Sequence, residues 1–303
     1  MKHLSVLVMA TILFAGCHQL NKTKSGLAYK ITKGSSTTLL KNGQFIKFNI
    51  EFKLGTKDSI LNTSYGHIPA FARYDTAQLG KYNFMEILPS CGVGDKVEFS
   101  LSNDSLKAMG MIPDFNKSFP KGGIVKGRFE ILAAFDNEKT VGDDYKKEAD
   151  AEKEREVKAL EAYMAKKGIK GIKTPNGAFV EITTPGDMTN KADSGKQVSV
   201  LYNGYTEDGK VFDSNIDKPG PAFKVIIGAH SVIPGWDEGL RFFGKGSKGK
   251  ILVPAMLGYG QQGAGAAIKP YTNLIFDVQV ADVTVAPPPA PAAPTPNPAM
   301  GNK

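Results

Sequence analysis

Gly209-Lys210-Val211-Phe212-Asp213-Ser214 places one carboxylate directly after an aromatic ring, and the rest of the chain is read outward from it. Upstream, residues 198–205 alternate apolar and polar side chains as a half-buried strand does. Glu207-Asp208-Gly209-Lys210 is a turn signal between two such runs. Downstream come Val232-Ile233-Pro234-Gly235-Trp236 and Leu257-Gly258-Tyr259-Gly260. Trp236, the only tryptophan, opens the one stretch with helical spacing, apolar at 236, 240 and 243. Together these residues predict an aromatic-lined pocket with one placed acid.

The same blocks recur earlier in the chain. Residues 26–34 resemble 177–186, residues 44–48 resemble 197–201, residues 92–99 parallel 244–251, and residues 127–133 parallel 275–281. The spacing stays near 152 residues, so two β-rich copies of one domain are expected. Between them, residues 143–167 are rich in Lys, Glu and Ala, with charges three and four apart as on an exposed helix. Asp143 or Asp144 is the expected cap, Gly168 the expected stop, and Val157, Leu160 and Met164 the only apolar periodicity. The expected role of this helix is a spacer, with a partner-binding or dimerising helix as the alternative.

At 303 residues, 41% apolar and 22% charged, the chain has the composition of two globular domains. Its net charge of +8 is dispersed and not interleaved with aromatics, which argues against nucleic-acid binding. Lys2, an apolar run over residues 4–14 and Ala15-Gly16-Cys17 read as a signal segment. The small residues before Cys17 resemble a bacterial lipobox, although Phe14 stands where an aliphatic residue is usual. A lipidated Cys17 implies a membrane anchor, a cell-envelope address facing the periplasm, and the outer membrane as its site. Cys91 is then a lone thiol, expected to be buried as a small hydrophobe. The four histidines are too scattered for a metal site. Residues 286–303, dominated by Pro and Ala, are expected to form an extended solvated tail.

Residues 196–285 resemble an FKBP-type peptidyl-prolyl cis/trans isomerase domain. The resemblance rests on Val200-Leu201-Tyr202-Asn203-Gly204, residues 208–214, Phe223-Lys224-Val225, residues 232–240, Gly258-Tyr259-Gly260 and Leu274-Ile275-Phe276-Asp277-Val278. It implies an α+β fold with two FKBP-like domains, each an antiparallel sheet wrapped over a short helix, joined by a charged helical linker. The expected order is a signal segment and lipidated Cys17 over 1–17, a tether over 18–25, and a degenerate first domain over 26–136. A linker over 137–169, an isomerase domain over 170–285 and the tail complete it.

Carried over by the resemblance, Tyr202, Phe212, Asp213 and Tyr259 are the expected catalytic residues. Phe223, Val232, Ile233, Trp236, Ile268 and Phe276 are expected to bind substrate, with Trp236 as the floor under the prolyl ring. Tyr259 and the Ile233 amide are expected to hold substrate carbonyls. No cofactor or metal is implied. The implied partners are Pro-containing chains, with macrolide-type inhibitors possible ligands of the same pocket; the sequence sets no oligomeric state.

Two departures qualify the resemblance. In Gln261-Gln262-Gly263-Ala264-Gly265-Ala266-Ala267, Ala264 stands where the family often has histidine and Ala267 replaces an aliphatic residue. A mobile, weakly grasping flap and low activity on small peptides are therefore expected. One residue is also added between Asp213 and Phe223. In the first copy Phe84 stands for Trp236, Asn49 for Tyr202 and Asn62 near Asp213, so a chaperone-like or dimerising role is expected there. The expected function is a prolyl isomerase assisting the folding of exported proteins; the alternative is a non-catalytic module that holds unfolded or Pro-containing chains.

Overall fold

Val97, Phe99 and Leu101 are buried while Lys96 and Glu98, which alternate with them, face water, the period-two pattern of a strand with one wet side. Such strands dominate the computed structural model, which describes residues 20–55, 58–216, 218 and 220–288. Cys17, the 1–17 signal segment and residues 289–303 of the tail lie outside the described residues. The chain divides into two units, residues 1–148 and 149–303.

In the first unit the elements are β1 (Asn21–Lys22), β2 (Ala28–Thr32), β3 (Phe45–Leu54), β4 (Ser59–Thr63) and β5 (Ala70–Arg73). A 3-10 turn, Phe84–Ser90, precedes β6 (Lys96–Ser102), α1 (Asn103–Ala108), β7 (Ile124–Phe135) and the start of α2 (Glu138–Lys167). The antiparallel sheet runs β1-β2-β6-β7-β3-β4, with β5 also on β3. The second unit contains β8 (Ile172–Lys173), β9 (Phe179–Thr184), β10 (Asp187–Lys191), β11 (Lys196–Thr206), β12 (Val211–Ser214) and β13 (Phe223–Ile226). Then follow α3 (Pro234–Gly239), β14 (Gly244–Lys245), β15 (Lys248–Val253) and β16 (Leu274–Val285). Its sheet runs β8-β9-β15-β16-β11-β12 with β13 on β11, while β10 and β14 form a separate ribbon. The architecture is α+β.

The two sheets share one plan. β2-β6-β7-β3-β4 and β9-β15-β16-β11-β12 follow the same order. Their irregularities also coincide: one falls between Lys47 and Phe48 and again between Ser199 and Val200. A second falls between Phe52 and Lys53 and again between Gly204 and Tyr205. By this register Tyr202 corresponds to Ile50, not Asn49, since Tyr202 pairs with Val278 and Ile50 with Phe129. A side chain marks the correspondence: the Ile50 N–H donates to Ser64 Oγ (2.9 Å) and the Tyr202 N–H to Asn215 Oδ1 (2.6 Å). Asn62, opposite Phe52, is the counterpart of Asp213, opposite Gly204, as expected.

The helix α2 departs from the sequence expectation at its start and in its role. It begins at Glu138, where the Asn137 side chain accepts the Thr140 N–H (3.0 Å). Asp143 and Asp144 lie inside it and do not cap it. Its end is as expected: Gly168 takes φ +68°, the Gly168 N–H reaches the Ala165 carbonyl and the Ile169 N–H the Met164 carbonyl (3.0 Å). Residues 138–148 belong to the first unit, where Lys47 bridges Asp144 and Glu148, both at 2.7 Å, and Tyr145 meets Phe71 edge-on. Residues 149–167 belong to the second unit. There Leu160 and Met164 are buried against Phe179, Leu252 and Ile275. The helix is therefore part of the core that it was expected only to connect.

Leu160→Ala is expected to destabilise the second unit by about 2–4 kcal/mol. The readout is the urea midpoint of Trp236 fluorescence in the full chain; an unmoved midpoint would show that α2 only connects.

Candidate active site

Tyr202 stands at the centre of β11, its backbone fixed by Asn215 and its hydroxyl donating to Asp213 Oδ2 at 2.5 Å. Asp213 reaches that position because β12 lies antiparallel to β11, with Asp213 opposite Gly204. Phe212 is the extra residue of the bulge between the Tyr205–Val211 and Gly204–Asp213 pairs. The bulge re-aims its ring onto Phe276, edge-on at 5.6 Å. Gly204 leaves the space: a Cβ there would stand 2.8–2.9 Å from the rings of Phe212 and Phe276.

The floor comes from α3. Pro234 fixes its first turn, and Ile233 before it is extended (φ −57°, ψ 143°), as a residue preceding proline must be. Trp236 is 4% exposed and meets Tyr202 at 5.0 Å, Phe276 at 5.1 Å and Phe223 at 6.1 Å, all edge-on. Its indole nitrogen has no acceptor among the described residues. Phe223 on β13 and Tyr259 remain 41% exposed, each on the cleft wall. Tyr259 is held through its loop, with the Gly260 N–H on the Ala255 carbonyl (2.8 Å) and the Gly263 N–H on the Tyr259 carbonyl (3.1 Å).

Tyr202, Phe212, Asp213, Phe223, Val232, Ile233, Trp236, Tyr259 and Phe276 thus line one cleft of about 500 Å³. Ile268 does not line it: that side chain is 4% exposed and packs into the core. Its backbone pairs with Ala264 through two hydrogen bonds of 2.8 and 3.2 Å. Ala264 and Ile268 thus bridge the two ends of the Gly- and Ala-rich segment between them. His230 and Ser231 also line the cleft and were not anticipated; His230 has φ +53°, a signal that sequence alone does not carry. Burial first, and then the Asp213 carboxylate, push the Tyr202 phenol above its ordinary range, so it remains a donor.

Residues 188–281 match the family model described as FKBP-type peptidyl-prolyl cis-trans isomerase. A protein named FK506-binding protein from Neisseria meningitidis serogroup C is 42% identical over 93 residues, 31% of this chain and 84% of that one. The chain belongs to the FKBP-type peptidyl-prolyl cis-trans isomerase family. Peptidyl-prolyl cis-trans isomerase FKBP53 of Arabidopsis thaliana is 46% identical over 111 residues, 36% of this chain but only 23% of that protein. The FKBP-type 22 kDa peptidyl-prolyl cis-trans isomerase of Escherichia coli is 36% identical over 127 residues, 42% of this chain and 59% of that one. All of these matches are shorter than half of this chain, and the second unit carries the isomerase domain.

The first unit keeps the strand order of the second and fills its interior differently. Phe52 occupies the register position of Gly204, and Gly127 that of Phe276. Gly127 admits the Phe99 ring, to which a Cβ would come within 2.1 Å. The rings of Phe52, Phe84 and Phe99 then pack together at centroid distances of 5.8–6.4 Å. No carboxylate corresponds to Asp213. Cys91 is fully buried against the Ile87 carbonyl, and burial, then the charge of Asp95, push its thiol up to about 12. It is inert, as a buried small hydrophobe should be.

Gly204→Ala is expected to cost about 1–3 kcal/mol by overpacking Phe212 and Phe276. A urea titration followed by Trp236 emission measures this, and wild-type stability in that variant would contradict the role given to Gly204.

Proposed function

We propose that the second unit isomerises X–Pro bonds by holding the twisted amide in the aromatic cleft. Rotation about such a bond faces a barrier near 18–20 kcal/mol because amide resonance must be broken. The twisted state has lost resonance and much of its dipole, so an apolar wall favours it over the planar state. A 10⁵-fold acceleration corresponds to about 7 kcal/mol of differential binding, within reach of packing and a few hydrogen bonds. Trp236 and Phe276 receive the prolyl ring, and Asp213, oriented by Tyr202, stands beside the rotating bond. No covalent step is required.

One observation carries this reading. The Ile233 N–H and the Tyr259 hydroxyl have no hydrogen-bond partner among the described residues, and both belong to the wall of a cleft whose floor is aromatic. Unpaired donors beside an apolar floor suit the carbonyls that flank a proline. A macrolide of the class named for the Neisseria relative suits the same floor and donors. The exported clients, and attachment to the periplasmic side of a bacterial outer membrane through lipidated Cys17, are supported by the N-terminal sequence alone. Within this proposal the first unit binds client chains over its surface and does not catalyse.

The test is the exchange rate of a Pro-containing peptide with the full chain, measured by NMR. Asp213→Ala and Trp236→Leu are expected to lower kcat/KM by about 10–100-fold and Tyr202→Phe by about tenfold, with the folds intact. An inactive wild type that still binds the peptide would replace the enzyme with a binding module.

A further inference from the structure

Glu156 lies on α2, outside the cleft, yet its side chain reaches the segment that carries Tyr259. It is 4% exposed, and Glu156 Oε2 accepts the Met256 N–H at 2.9 Å. Met256 is the middle residue of the 3-10 turn Ala255–Leu257, which runs directly into Gly258-Tyr259-Gly260. The turn is tied on its other side by the Ala255 N–H on Asn273 Oδ1 (3.0 Å). The hydrogen bonds that shape the Tyr259 loop, from Gly258 and Gly260 to the Ala255 carbonyl, start from this turn. The other oxygen, Glu156 Oε1, is buried and has no hydrogen-bond partner among the described residues. An acid kept in such a place without full hydrogen bonding is costly, which separates it from an ordinary surface residue of a charged helix.

We propose that Glu156 is a positioning residue for the isomerase cleft: by pinning the Met256 N–H it sets where Tyr259 stands on the wall. This rests on the isomerase reading of that cleft. Ionisation of the carboxyl strengthens the pin, because a charged acceptor holds an amide more tightly than a neutral one. Burial is the first cause that raises the Glu156 carboxyl, to about 7, followed by the lowering effect of the Met256 N–H. The charges that act on it are Glu152 and Arg155 of its own helix, which pair with each other; the facing turn contributes only the backbone of Met256. Lys250, Glu207 and Asp277 act further along the helix, on Tyr163. A carboxyl raised in this way favours the folded state fully below its unfolded value near 4.5 and loses that contribution as pH rises through about 7. Stability and positioning therefore move in opposite directions with pH.

The test uses the full chain, with kcat and KM for peptide exchange measured separately from pH 5.5 to 8.5. Wild-type kcat/KM is expected to rise about three- to tenfold with an inflection near pH 7. Glu156→Gln, which still accepts the hydrogen bond but cannot ionise, should remove that inflection, and Glu156→Ala should stay low throughout. In a Tyr259→Phe background the Glu156→Ala effect should shrink, since both act on one group. The Met256 amide shift, followed by NMR, should titrate near pH 7 in the wild type and not in Glu156→Gln. An active wild type whose inflection survives in Glu156→Gln, or a Met256 amide that does not titrate, overturns the proposal alone. A wild type without isomerase activity removes the reading beneath it, and the proposal with it.

Discussion

Four rings, Tyr202, Phe212, Trp236 and Phe276, hold the cleft open by leaning on one another. Trp236 meets Tyr202 and Phe276 edge-on at about 5 Å, and Phe276 meets Phe212 in the same way. Edge-to-face contacts of this kind favour fixed ring orientations, so each ring presents a surface to the cleft instead of collapsing into it. The arrangement depends on absence of bulk at Gly204, and on the β12 bulge that turns Phe212 inward. Asp213 follows from the same bulge, because the residue after the irregularity returns to register opposite Gly204.

The first unit shows what the same frame becomes when that constraint is released. With Phe52 in place of Gly204 and Gly127 in place of Phe276, aromatic mass moves inward and the rings pack on each other. The exchange keeps the strand order and both bulges, so the fold does not depend on the cleft. The strand order and bulges are thus common to both units, while the residues that open the cleft are particular to the second, as expected when a site is grafted on a fold.

Much of the cleft was legible because its residues sit in short blocks where strand period and turn chemistry agree, as in Tyr202, Phe212 and Asp213 around the Gly209 turn. Ile50 was misread as Asn49 because a repeat matched through gaps can slide by one residue. In a strand such a slip turns a core position to the other face. The start of α2 was missed because Lys- and Glu-rich sequence has no apolar stripe to mark its first turn, and the cap, Asn137, precedes the charged run. The burial of Ile268 was hidden because a Gly- and Ala-rich loop reads as loose until its closing hydrogen bonds are known. Glu156 looked like any other charge on an exposed helix; its burial is a tertiary fact.

Among the described residues the second unit carries an open, donor-flanked aromatic cleft, the one proposed above to take a prolyl chain. Chemical-shift mapping of the full chain with a Pro-containing peptide tests that proposal most directly. Changes are expected at the Trp236 indole, the Ile233 amide and Tyr259, with Phe52, Phe84 and Phe99 unmoved. Shifts centred on those three phenylalanines, with Ile233 and Trp236 silent, would contradict it.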